Sequence, residues 1–349
     1  YYFLNIIIVG NIIILLTVFL IIGNRLMKYI SCKHLEHGIA FFSRNIECCC
    51  ISSHEGGGQI ECVPDYFGEP IDWDKFFAER RKLRDLHKSG EIYKKCKGCY
   101  YLEEKDWDNE DYFSEMLIGH WSHCNCNCIY CYTDEDKYYY NTREFYKVYP
   151  VIKDMLDKNL IRNGGEITFG GGEPTILEEF EDLLGAFLSH GINNIRIHSS
   201  GIKFSPAIFK GLAEGKVTTI ISIDSAFPET YKKIKNINAF EKVRENIEKY
   251  AKAEGKLYVK YVLMPGFNDT LEEIQAWLKH CQDAGVKKIA FDIEDHWFKA
   301  NRHHIPQHIY DLFDYVIKNH YHYGLNEYQL YERAMNLRED RKKDLGDEV

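Results

Sequence analysis

The stretch His120-Trp-Ser-His-Cys-Asn-Cys-Asn-Cys-Ile-Tyr-Cys-Tyr132 brings Cys124, Cys126, Cys128 and Cys131 close together. Within it, Cys124-x3-Cys128-x2-Cys131 places three thiolates on what reads as a loop, and thiolates are the usual ligands of iron–sulfur clusters. Three ligands for the four irons of a cubane leave one iron open to chelate a substrate, where a fourth cysteine would close it. Cys126 lies inside the same loop. The alternating Cys-x-Cys-x-Cys also suits zinc, so Cys126 in place of a neighbour stays open as an alternative.

A second thiol group precedes this loop. Cys32, one of Cys48, Cys49 and Cys50 (Cys49 in the preferred set), Cys96 and Cys99 make a four-thiolate set, with Cys62 as a substitute for one ligand. A second [4Fe-4S] cluster, structural zinc and free thiols are the three readings. Clustered cysteines with CxxC spacing in a long chain point to metal ligands in a reducing compartment rather than to a disulfide framework. Cys281 stands alone on a helix-like segment and reads as an inert buried thiol. His303, His304 and His308 have near-helical spacing; a polar helix start is preferred there over a metal site. His120 and His123 flank the thiol loop and line it.

These residues need a scaffold. From Tyr112 onward, strand-like and helix-like segments alternate. The strands are Ser114–Gly119, Glu166–Phe169, Asn194–His198, Thr218–Ile223, Leu257–Leu263 and Lys288–Ile293. Helices are expected near Thr142–Leu160, Ile176–Ser189, Pro206–Glu214, Phe240–Ala253 and Leu271–Ala284. Serial β-α units imply parallel strands with crossover helices, and right-handed crossovers curl them toward a barrel. The expected fold is α/β, a partial (β/α)6 TIM-like barrel over residues 109–300. A cysteine-rich extension covers 27–108, with a hairpin at Gly38–Glu47 turning at Ser43–Asn45, a loop at His54–Gly58 and a helix at Asp74–His87. Residues 301–349 read as a helical tail without strand signal, and Arg338–Lys343 as a solvated helix end.

The Cys-x3-Cys-x2-Cys spacing, with Tyr130 before its last cysteine, resembles the radical S-adenosylmethionine (radical SAM) superfamily. Thr168-Phe-Gly-Gly-Gly-Glu-Pro174 resembles that family's GGEP segment at Gly171, Gly172, Glu173 and Pro174. The resemblance covers about Tyr112 to Asp295. It implies that the GGEP segment binds the methionine amino group. It also implies cofactor contacts from Ser200 in Ser199-Ser-Gly201, from Ser222 and Asp224 in Ser222-Ile-Asp-Ser225, and from Met264 in the segment that flanks the adenine. The implied chemistry is reductive cleavage of S-adenosyl-L-methionine to a 5′-deoxyadenosyl radical that takes hydrogen from a substrate. The implied partner is an electron donor such as flavodoxin or ferredoxin. Asp292, Glu294 and His296, at the sixth strand's end, face either the substrate or solvent. The hairpin-then-CxxC layout before the barrel resembles an auxiliary iron–sulfur domain, although relatives often carry theirs after the barrel. Met264–Asp269 also resembles glycyl-radical activating enzymes.

Bulk properties limit the alternatives. The formal net charge of −9 gives no electrostatic footprint for nucleic acid. Apolar residues are 45% of the chain, enough for a sizeable core. Phe3–Gly23 is almost wholly apolar and long enough to span a bilayer, and Arg25 and Lys28 after it would keep the rest cytoplasmic. The competing reading is an upstream extension of residues 1–26, with translation starting at Met27 and the protein cytoplasmic. Two substrate classes fit a radical enzyme, a peptide or protein and a small metabolite. A zinc-stabilised binding module on Cys96, Cys99, Cys128 and Cys131 is the reading from another class.

Overall fold

A computed structural model describes residues 28–49, 60–131, 146–302 and 304–330. The apolar segment of residues 1–26, Cys50, the His54–Gly58 loop, His303 and the Arg338–Lys343 tail lie outside these residues.

Strand-like runs of β-branched and aromatic residues form the expected sheet. It comprises β6 (Glu115–Ile118), β7 (Ile167–Phe169), β8 (Ile195–Ser199), β9 (Val217–Ser222), β10 (Lys256–Leu263) and β11 (Lys288–Ile293), neighbouring each other in chain order and parallel throughout. One face carries Phe169, Tyr261 and Phe291. These rings pack on the covering helices α4 (Phe180–Ser189), α8 (Leu271–Asp283) and α10 (Gln307–Asn319), through Phe180 at 5.5 Å, Trp277 at 5.0 Å and Phe313 at 4.7 Å. Because side chains alternate along a strand, Thr168, Arg196, His198, Ser222, Lys260 and Asp292 take the opposite, concave face. Helices α3 (Tyr149–Asp157), α5 (Pro206–Ala213) and α7 (Phe240–Ala251) fall within the expected segments, and α2 (Trp73–Lys88), which follows the short helix α1 (Lys33–His37), matches the expected helix in the extension.

The sheet is wider than the periodicity shows. The expected hairpin forms from β2 (Gly38–Phe41) and β3 (Ile46–Glu47), but β2 also pairs in parallel with β6, and β3 pairs onward with β4 (Glu61–Val63). Extension and core thus share one ten-stranded sheet. At the other end, β12 (Glu327–Leu330) pairs in parallel with β11, a strand where the carboxyl-terminal region reads as helical. Its four residues do alternate polar and apolar, with Tyr328 and Leu330 packed against the core, but the run is too short to stand out in the sequence. Two further elements escape the sequence pattern. A two-stranded sheet joins β1 (Lys28–Ser31) to β5 (Glu103–Asp106). Helix α6 (Pro228–Lys235) follows β9, with Tyr231 and Ile234 among its few buried residues. Among the described residues no helix is long and apolar enough to cross a membrane.

Candidate active site at the carboxyl ends of the strands

The thiol loop leaves the end of β6 and is fixed from four directions. On the first side, the Gly-Gly-Glu segment after β7 runs beside it, with the Gly172 N–H donating to Trp121 O at 3.0 Å and the Glu173 N–H to His123 O at 2.9 Å. This approach needs glycine. A Cβ on Gly172 would stand 2.0 Å from the His123 carbonyl oxygen. One on Gly171, whose φ is +82°, would stand 2.4 Å from that of Trp121. Gly171 and Gly172 therefore serve the packing of the loop's lead-in, a role the sequence pattern does not distinguish from contact with a ligand.

On the second side stands β8. The Ser200 hydroxyl donates to Asn125 Oδ1 at 2.9 Å. Beneath it, the buried Glu173 carboxylate accepts from Thr175 N–H at 3.1 Å, the Thr175 hydroxyl at 2.6 Å, the Ser199 hydroxyl at 2.9 Å and the Ser200 N–H at 2.5 Å. Glu173 thus clamps the end of β8 to the turn at Pro174.

The third side is α6, whose last carbonyls, Ile234 and Lys235, accept from the N–H groups of Ile129 (3.0 Å) and Asn127 (3.1 Å). On the fourth, the Tyr130 hydroxyl donates to Asp224 Oδ2 and receives a bond from Lys235 Nζ at 2.7 Å, while Lys235 and Asp224 form a fully buried ion pair. Asp224, in the left-handed region with φ 55°, also accepts the Val262 N–H at 2.8 Å. Asn268 completes the wall. It donates to the carbonyls of Asp224 and Val262 and accepts the Met264 N–H, so the turn that follows Met264 is stapled to the end of β9. Ser222 is half-buried at that strand end, and Met264 is buried. Sequence reading names Asp224 but misses Lys235 and Asn268, because a buried, paired lysine or asparagine looks like any surface one.

The thiols differ. Cys126 hydrogen-bonds both Cys124 and Cys128. These bonds hold Cys124 below the ordinary thiol range and bring Cys128 down to about 7, with Lys235 assisting, while Cys126 is driven far up. Cys124 and Cys128 are thus readier thiolates than Cys126, and thiolate is the form that binds metal. Cys131 is half-buried at the loop's end. Soft sulfur donors on a loop pinned at its lead-in, middle and end suit an iron–sulfur cluster. Among the described residues no group of three or more His, Cys, Asp or Glu is already closed to metal-ligand spacing, in this loop or in the extension.

In the extension, Cys48 and Cys62 form a disulfide across β3 and β4. This corrects two expectations. Cys62 is not available as a substitute ligand, and neither is Cys48; of the three adjacent cysteines Cys49 and Cys50 remain, Cys50 lying outside the described residues. The physical reason is the antiparallel pairing of β3 with β4, whose register shift between Ile46 and Glu47 leaves Cys62 as the extra residue beside Cys48, Cα to Cα 6.2 Å. Cys32, Cys49, Cys96 and Cys99 share a neighbourhood. Burial raises Cys32 to about 12, and Cys49 and Cys99 add to it; burial likewise raises Cys96 to about 12, with Cys32 and Cys99 adding. Cys32 Sγ accepts the Leu35 N–H at 3.4 Å.

The remaining candidates separate. On the concave face Lys260 reaches Asp292 at 3.2 Å and Arg196 reaches Glu166 at 2.7 Å. His198, held down to about 4 by burial and by the charges of Lys260 and Arg196, stands near both pairs. Asp292 therefore belongs to the concave lining. Glu294 caps helix α9 (Asp295–Asn301), accepting from the N–H groups of His296 (2.9 Å) and Trp297 (2.6 Å). His308 lies in the first turn of α10 and bonds Asp269 at 3.1 Å. His120 is buried, stacked on Tyr146 at 5.1 Å, with burial holding it below the usual imidazole range. Cys281 is buried, and burial alone raises it.

Comparison with known proteins agrees with this layout. Residues 118–281 match the Radical SAM superfamily. Among curated proteins, GTP 3′,8-cyclase of Psychromonas ingrahamii is 26% identical over 196 residues, 52% of this chain and 54% of that protein. The enzyme of the same name from Clostridium acetobutylicum is 26% identical over 171 residues, 48% of this chain and 51% of that protein. The chain thus spans about half the length of the curated relatives it matches. Among solved structures, Streptococcus suis SuiB bound to precursor peptide SuiA superposes with a TM-score of 0.50 at 14% identity, over 84% of this chain and 60% of that one. That likeness is one of fold.

Proposed function

We propose that this chain, which belongs to the radical SAM superfamily of enzymes through residues 118–281, cleaves S-adenosylmethionine and abstracts hydrogen from a peptide or protein substrate. The observation that carries the reading is the four-sided pinning of the Cys124–Cys131 loop at the carboxyl ends of the strands, where barrel active sites form. Cys124, Cys128 and Cys131 would hold a [4Fe-4S] cluster with one iron left for the methionine moiety. When bound, the cluster and S-adenosylmethionine supply a 5′-deoxyadenosyl radical after one electron enters from a donor such as flavodoxin or ferredoxin.

This chain's residues prepare that event. The clamp by Glu173 and the pinning by Ser200 fix the loop against β8, and Asp224 and Asn268 fix the walls beyond β9. Ser222 and Met264 stand as candidate contacts to the cofactor, while Asp224, whose carboxylate is taken up by Val262, Tyr130 and Lys235, would act by holding the wall beside them. Below lies the concave face with its Lys260–Asp292 and Arg196–Glu166 pairs, a polar floor suited to a polar substrate. In the extension, Cys32, Cys49, Cys96 and Cys99 would hold a second [4Fe-4S] cluster.

The peptide reading draws on the likeness of fold to a protein solved with a precursor peptide. A small metabolite is the second reading, favoured by the polar floor and by relatives named GTP 3′,8-cyclase. The test is anaerobic purification followed by iron analysis and reduction in the presence of S-adenosylmethionine. Brown protein that releases 5′-deoxyadenosine supports the proposal; colourless, zinc-bound protein that releases none rejects it. Stimulation of that release by GTP, and not by peptides, would move the substrate to the second reading.

A further inference from the structure

We propose that the hydroxyl of Tyr231 donates a hydrogen bond to a sulfur of the cluster held by the Cys124–Cys131 loop, and thereby sets how readily that cluster accepts an electron. The inference rests on the cluster reading above and assigns it a residue outside every motif. Tyr231 lies on α6 one turn before Lys235, and side chains four apart share a helix face. That face meets the thiol loop, because the carbonyls of Ile234 and Lys235 receive the loop's N–H groups and Lys235 Nζ reaches Tyr130. The Tyr231 ring is fully buried and packs edge-on against Phe240 at 5.7 Å.

Its hydroxyl is enclosed yet has no hydrogen-bond partner among the described residues. A buried orphan donor costs roughly 1–3 kcal/mol, and such groups are rare enough to need a cause. Burial is the first influence on this hydroxyl, and the charged or ionisable groups that act on it after burial are Cys126, Lys235, Cys128 and Asp224. Lys235 is a donor only, and the Asp224 carboxylate is engaged by Val262, Tyr130 and Lys235. The loop that packs against this end of α6, through Asn127 and Ile129, carries the remaining acceptors, the sulfurs of its cysteines. A protonated thiol accepts weakly, whereas an iron-bound thiolate or a bridging sulfide is anionic and accepts well. Hydrogen bonds to cluster sulfur are among the factors that set its reduction potential, and a donor favours the more negative, reduced form.

The test compares wild-type and Tyr231→Phe proteins, each reconstituted anaerobically with iron and sulfide, by redox titration followed by electron paramagnetic resonance. The substitution removes one oxygen and keeps the ring. Iron per chain is expected to be unchanged. The ratio of reduced to oxidised cluster at a fixed potential is expected to fall about tenfold, a shift of about 59 mV to more negative potential for a one-electron couple. Without iron, Y231F is expected to melt at or above the wild-type temperature, since it removes an unpaired buried oxygen. Equal potentials in the two proteins overturn the proposal. A large loss of stability in iron-free Y231F overturns it too, by making the hydroxyl a structural donor. Wild-type protein without a four-iron signal rejects the cluster reading and this inference with it.

Discussion

Lys235 Nζ donates to the Tyr130 hydroxyl at 2.7 Å, across 105 residues of sequence. Both groups also bond Asp224, so the last turn of α6, the thiol loop and the end of β9 meet at one buried point. Replacing Lys235 by Met is expected to strand Asp224 as an uncompensated interior charge, at a cost of about 3–5 kcal/mol. Tyr130→Phe removes a neutral donor and is expected to cost only about 1 kcal/mol. Urea denaturation of the iron-free proteins checks both, and equal effects would mean the ion pair is not the hinge of the network.

Gly172→Ala puts a methyl group 2.0 Å from a backbone oxygen. The loop's lead-in must then move, and reconstituted protein is expected to retain less than a tenth of the wild-type iron. Gly185 is the control. It lies inside α4 with nothing within 4 Å of an added Cβ, and Ala there is expected to stabilise by about 0.5–1 kcal/mol. Iron analysis and denaturation curves measure the pair.

His34 is buried, and burial followed by the charge of Lys33 lowers its pKa to about 4 from 6.5. The folded chain keeps the ring neutral where the unfolded chain protonates it. The corresponding stability is complete above pH 6.5 and is lost as pH falls toward 4, at about 1.4 kcal/mol per pH unit in that window. His34→Gln is expected to flatten this part of the stability–pH profile. An unchanged slope would show that the ring titrates alike in both states.

Cys96→Ala and Cys99→Ala test the extension. If that thiol set holds a second cubane, iron falls from about eight to about four per chain. The cleavage of S-adenosylmethionine should persist, because the Cys124–Cys131 loop is untouched. A count of about four in the unsubstituted protein would leave those thiols without a cluster.

The sequence displays the parallel strands because their apolar runs are buried between layers, and burial writes a legible apolar pattern. It displays the thiol spacing and the glycine run because those types are rare. It hides β12, whose alternation lasts only four half-buried residues, and α6, whose lysines look solvated. The tethers are hidden for a deeper reason. Lys235, Asn268 and the second role of Glu173 depend on partners tens of residues away, and no local pattern records a long-range hydrogen bond. The Cys48–Cys62 bond is hidden likewise, since the pairing of β3 with β4 decides it.

The tethers also fix an order of assembly. Asn125 reaches Ser200 over 75 residues and Tyr130 reaches Asp224 over 94. Neither bond can form until β8, β9 and α6 have docked. The loop acquires its shape only when most of the parallel sheet exists, so iron and sulfide delivered to a nascent chain would meet a shapeless string of thiols. Maturation of this protein is accordingly expected to run chain first and metal last, and a chain that loses its metal to oxygen keeps the tethered cradle into which a new cluster can be loaded.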